Sequence, residues 1–107
     1  MQRELTKESL KVFKVLYLEY RRRRKTKIAK DEAIEFVDTQ LTELFHDFPD
    51  ADIDFAINEI ADMGFCKTDV IGGVKLQDVG IKYMEQRPKE FFNDVVGFVK
   101  DAISLIP

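Results

Sequence analysis

Apolar positions along this chain recur first at a helical period, then briefly at an alternating one, then at a helical period again. From residue 6 to about 22, Leu10, Phe13, Tyr17 and Tyr20 follow the three-and-four spacing of one helical face, and Val12, Val15, Leu16 and Leu18 widen it. So broad an arc predicts a helix buried on more than one side. Thr6 is the expected N-cap, and Glu8 suits the positive end of the helix dipole. The cations Arg21, Arg22, Arg23, Arg24 and Lys25 fall at or just beyond the expected C-terminal end, where open carbonyls favour positive charge.

Ile28, between charged neighbours, reads either as a one-residue strand or as a buried anchor. A second helix is expected over 30–45, with Ile34, Val37, Leu41 and Leu44 inward and Asp31 and Glu32 in its first turn. Phe48-Pro49 ends that segment, and Asp50 offers an N-cap for a third helix running to about residue 63. Its inward residues are Ile53, Ala56, Ile57 and Ile60, and Gly64 reads as its left-handed stop. Short alternating runs then flank Gly72-Gly73 and predict a two-stranded hairpin. A short helix over 79–86, Pro88, and a last helix over about 89–105 complete the expectation.

The chain has 107 residues, room for one domain, and its 45% apolar and 35% charged composition is that of a globular protein. Its one cysteine, Cys66, cannot form an intrachain disulfide and suits a reducing compartment. The start, Met1-Gln2-Arg3-Glu4-Leu5, lacks the apolar stretch of a signal peptide, and no segment nears the roughly 20 apolar residues of a membrane span. A cytoplasmic protein is the expectation. The net charge of -3 conceals a sharp division. Residues 1–30 hold eleven Lys or Arg against Glu4, Glu8 and Glu19; residues 31–62 hold eleven Asp or Glu and no cation; the remainder balances at six of each.

Three helices closing on Met63-Gly64-Phe65, a hairpin, then Leu76-Gln77-Asp78-Val79-Gly80-Ile81-Lys82-Tyr83 resemble the winged helix-turn-helix superfamily over about residues 5–86, and most of all its small YjcQ-like members. The resemblance implies a mainly α fold with a small β-hairpin: a three-helix core, a two-stranded wing and a C-terminal helix over 88–106. It also implies a DNA-binding scaffold with the third helix in the major groove and the wing on the backbone. This third helix departs from that chemistry. Opposite its inward face stand Ala51, Phe55, Asn58, Glu59 and Asp62, flanked by Asp52 and Asp54, and of these only Asn58 suits base reading.

Three surfaces are therefore candidates. Arg21, Arg22, Arg23, Arg24, Lys25 and Lys27, with Lys67 and Lys75 from the wing, can contact DNA phosphates; the plain alternative is a solvated helix end that pairs with the acidic middle of the chain. Phe55, Asn58, Glu59 and Asp62 can receive a basic protein, or the basic third of another copy, unless Phe55 packs under a neighbouring helix. Phe91, Val95, Phe98, Val99 and Ile103 belong to an apolar arc wider than one neighbour usually buries, which favours homodimerisation over simple completion of the core. Membrane-surface binding ranks last, because the polar strip of that helix, with Glu90, Asp94 and Asp101, is acidic.

His46 beside Asp47 has no second histidine, Cys66 reads as a core residue, and Gly72-Gly73 lacks the lysine and spacing of a phosphate loop. No enzyme activity, cofactor or metal is expected. A small DNA-associated regulator or accessory factor is placed slightly ahead of a protein-interaction module. That order rests on positive potential gathering at the end of the first helix while the third repels polyanions.

Overall fold

Helix α1 (Lys7–Lys25) begins where its cap predicts. Thr6 is extended, and its hydroxyl accepts the Ser9 N–H at 3.2 Å, satisfying one of the donors a helix start leaves open. The computed structural model describes residues 4–100 and 102–106. Val12, Phe13, Val15, Leu16, Tyr17 and Leu18 are fully enclosed, so α1 is the axis about which the other elements pack. The basic run lies within its last turns, earlier relative to the helix end than the sequence suggests.

The segment expected as one helix over 30–45 is instead three elements: α2 (Lys30–Ala33), β1 (Glu35–Phe36) and α3 (Asp38–Leu44). The break has a clear cause. The Leu76 N–H donates to the Ile34 carbonyl at 2.9 Å, and Glu35 and Phe36 pair antiparallel with Lys75 and Val74. A continuous helix would lose those bonds and turn Phe36, which is fully buried, away from the core. Val37, expected inward, is 45% exposed, whereas Leu41 is buried and Ile34 and Leu44 are partly so.

The hairpin is β2 (Cys66–Thr68) and β3 (Val74–Leu76), and β1 adds to β3, giving the order β1-β3-β2. The sheet thus has three strands where two were expected, and the extra one is Glu35–Phe36; Ile28 is a partly buried residue packed on the core. At the hairpin turn the Asp69 carboxylate accepts the N–H groups of Ile71 and Gly73 at 3.0 and 2.8 Å, and Gly72 supplies a φ of +88°.

Helix α4 (Asp50–Asp62) buries Ile53, Ala56, Ile57 and Ile60 against α1, as its periodicity predicts. Pro49 takes the N-cap position expected for Asp50, which becomes the first helical residue. Gly64 follows with φ +80° and turns the chain into the sheet. Helix α5 (Asp78–Glu85) meets that turn closely: a Cβ at Gly80 would stand 2.6 Å from the Phe65 carbonyl oxygen. Phe13, Phe65 and Tyr83 stack beside this contact, with ring centroids 4.9 to 6.3 Å apart.

The last expected helix is also interrupted. A 3-10 segment (Lys89–Val95) is followed by turns and the short α6 (Ala102–Leu105). The buried residues Phe92, Val95, Val99, Ala102 and Leu105 recur mostly every third position, the period at which 3-10 side chains align, and Gly97 weakens a helix between the two pieces. Phe92 stacks on Tyr17 at 5.7 Å, and Lys14 reaches Asp94 at 3.1 Å, so the segment lies along α1. Asp101 of the expected polar strip lies outside the described residues. No helix among the described residues is long and apolar enough to cross a membrane.

Candidate functional site

The basic run does not act as a unit, because a helix points consecutive residues about 100° apart. Arg23 turns inward and is 7% exposed. Its guanidinium donates to the Glu35 carbonyl at 2.7 Å, approaches Glu19 at 3.4 Å, and lies 4.2 Å from the Phe36 ring centroid. Arg22 forms a two-point pair with Glu19, which raises its pKa further. These two cations are absorbed by the fold, and their counter-charge comes from α1 itself and not from the acidic middle of the chain.

Among the described residues, none of the other three forms an ion pair. Arg21 Nε donates to the Leu105 carbonyl at 3.2 Å, an Arg24 terminal nitrogen to the Ile28 carbonyl at 3.2 Å, and Lys25 Nζ to the Ser104 hydroxyl at 2.9 Å. All of these acceptors are neutral. Lys27 is exposed at φ 68°, and Lys30 is paired with Asp78 at 2.9 Å. Lys67 and Lys75 face each other across β2 and β3 on the outer face of the sheet, with Glu35 opposite Lys75 on its other side.

The second surface is the outward side of α4. Phe55 is 67% exposed there; it does not pack under a neighbouring helix. Asn58 and Asp62 are exposed on the same side, while Glu59 is half-buried and its Oε1 accepts the Thr6 N–H at 2.6 Å, tying α4 to the start of α1. Between α4, α3 and the hairpin turn runs a groove of about 410 Å³. Asp38, Asp50, Asp54 and Asp69 line it over a floor that includes Leu41, Ile53 and Ile57. Asp38 and Asp69 were not singled out from sequence; they approach α4 only because the hairpin folds back on the start of α3, where a Cβ at Gly72 would stand 3.1 Å from Asp38 Oδ1.

The third set is divided by the broken C-terminal segment. Val95 and Val99 are buried within this chain, Phe91 and Phe98 are half-buried, and of the five only Ile103 is largely exposed. Phe98 packs with Phe48 at 5.7 Å. A seam of five residues on one helical face is therefore absent.

His46 Nε2 lies 3.3 Å from Asp47 in solvent, and among the described residues no group of three or more His, Cys, Asp or Glu is placed to hold a metal. Cys66 is buried, its thiol is 3.9 Å from the Ile57 carbonyl, and burial pushes its pKa up to about 12. Compared with known protein families, curated proteins and solved structures, the chain matches none.

Proposed function

We propose that this chain is a non-enzymatic protein-interaction module on a winged-helix frame, and that it receives a basic partner on the outer side of α4. The order of α1, β1, α3, α4 and hairpin along the chain supports the frame, because in such proteins the recognition helix directly precedes the wing. The observation that carries the function is Phe55, a large aromatic residue exposed at 67% in a helix whose only charged residues are carboxylates. An exposed aromatic ring on a helix whose own charges are all negative, with Lys7 and Glu8 of α1 beside it, fits an interface anchor for a partner of mainly positive charge. The same carboxylates would repel a duplex approaching this side.

Selection of random displayed peptides against the whole protein tests this reading. Enriched peptides should be net positive with at least one apolar residue. Phe55→Ala should weaken them at least about tenfold, as loss of an interface anchor does. Acidic selected peptides, or indifference to Phe55→Ala, would end the reading.

A second reading, DNA association through the end of α1 and the sheet, is favoured by the exposed charges of Arg24, Lys25, Lys27, Lys67 and Lys75. It expects duplex binding that falls steeply with salt and is lost when Arg24, Lys25 and Lys27 become Gln. No duplex binding at low salt would dismiss it.

A further inference from the structure

The last turns of α1 and helix α6 enclose a groove of about 390 Å³ lined by Tyr20, Arg21, Arg24, Lys25, Ser104 and Leu105. Among the described residues that line it, three are cations and none is a carboxylate. We propose that this groove binds a phosphate group. The inference is independent of the α4 reading and uses only part of the basic run.

The fold separates the run into two functional sets. Arg22 and Arg23 pair with Glu19, whereas among the described residues Arg21, Arg24 and Lys25 meet neutral oxygens. Each arginine uses one nitrogen for that contact, Arg21 its Nε and Arg24 a terminal nitrogen, which leaves the rest of each fork able to donate. Phosphate suits such forks because its oxygens accept paired, charge-assisted hydrogen bonds. The lysine adds a point charge, and the Ser104 hydroxyl, held by Lys25 at 2.9 Å, lines the same groove.

One effect opposes an anion here. A helix C-terminus carries roughly half a negative charge, which repels it. In this helix the terminal carbonyls are already engaged: Thr26 N–H donates to Arg22 and Arg23, Lys27 N–H to Arg24, and Ile28 N–H to Arg23. Three full positive charges against a partial and capped negative one leave the groove attractive to anions. Its volume also lies within the roughly 300–1,000 Å³ of small-ligand sites, so it can accept more than a lone ion.

Inorganic pyrophosphate, titrated into the whole isotope-labelled protein at fixed pH and ionic strength, is the direct probe. Saturable shifts are expected at residues 20–25 and 104–105, including the Arg21 and Arg24 Nε–H signals. Arg24→Gln should weaken binding about tenfold, in keeping with loss of one charge-assisted contact. Lys25→Gln should weaken it too, whereas Lys67→Gln with Lys75→Gln should leave it unchanged; a native-like spectrum of each variant excludes misfolding.

Competition with duplex DNA separates the sources of the phosphate. Displacement of pyrophosphate by the duplex assigns the groove to nucleic-acid backbone, and failure to displace it assigns the groove to a small phosphate compound. Non-saturating shifts, or shifts spread over surface lysines in general, overturn the proposal even if duplex DNA binds elsewhere. Equal affinity in Arg24→Gln and Lys25→Gln overturns it as well.

Discussion

Helices α1 and α4 pack on each other, yet they use their side chains in opposite ways. α1 is enclosed on nearly every side along Val12 to Leu18, and its exposed residues are confined to its two ends, Lys7 and Glu8 at the start and Arg24 and Lys25 at the finish. α4 buries only Ile53, Ala56, Ile57 and Ile60 and leaves its outer side open. The difference separates support from recognition: a helix buried all round has no free face to offer, whereas a one-sided helix can carry charge and an exposed ring without harming the core. Charge follows the same division, with cations at the end of α1 and carboxylates along α4.

Truncation should show the contrast most strongly. Leu16 is fully enclosed, so Leu16→Ala should cost about 2–5 kcal/mol, while Phe55→Ala should stay within about 0.5 kcal/mol despite removing a larger side chain. Denaturant unfolding measures both. A loss above about 1.5 kcal/mol for Phe55→Ala would make Phe55 a structural residue and erase the contrast.

The arginines of α1 allow the same comparison within one turn. Arg23→Gln removes contacts to the Glu35 carbonyl and to Glu19 together with the stacking on Phe36, and should cost about 1.5–3 kcal/mol. Arg24→Gln loses a single exposed contact and should change stability by less than about 0.5 kcal/mol. Equal losses in thermal or denaturant unfolding would mean that the run is one structural unit.

Much of this division can be read from the sequence, though unevenly. The burial of α1, the inward face of α4, the Gly64 stop and the hairpin follow from local periodicity and turn chemistry, which need only neighbouring residues. The break at residues 34–36 depends on a strand about 40 positions away: Glu35 and Phe36 leave helical geometry because β3 offers them partners. The C-terminal segment misleads for a related reason, since a wide apolar arc on an ideal helix and a three-residue burial pattern laid along α1 contain the same residues. Phe55 is visible as an outward position, but its exposure of 67% depends on where the other elements pack, and no helix among the described residues covers it. The groove of Arg21, Arg24 and Lys25 depends on α6 arriving beside α1, which composition does not encode.

Cys66 extends the comparison to the seam between α4 and the sheet. Burial holds its thiol at a pKa of about 12, well above the usual value near 9.0, so almost no thiolate exists at pH 8. Modification by a thiol reagent in native buffer should be slow and should accelerate sharply in denaturant, with a rate that follows unfolding. Rapid native labelling would show that the seam opens by itself.

The smallest effect concerns the ion pair joining α2 to α5, Lys30 and Asp78 at 2.9 Å. The hydrogen bond from Lys30, then its charge, hold the Asp78 carboxyl below its ordinary 3.8. The unfolded chain therefore binds more protons near that pH, so this contribution is present above about 3.8 and lost as pH falls through the lower folded value. For Lys30 the sign reverses: Asp78 raises its pKa above 10.5, so its contribution is present below that value and disappears as pH rises through the raised one. The pair should thus support the fold on a plateau between the two limits, and weakly, because both side chains lie in solvent where water and salt screen them. Asp78→Asn should reduce the acid-side slope of stability against pH and leave neutral-pH unfolding almost unchanged, with added salt shrinking the difference. A large loss at neutral pH that salt does not diminish would move Asp78 from this solvent-exposed pair into the structural support provided by α1.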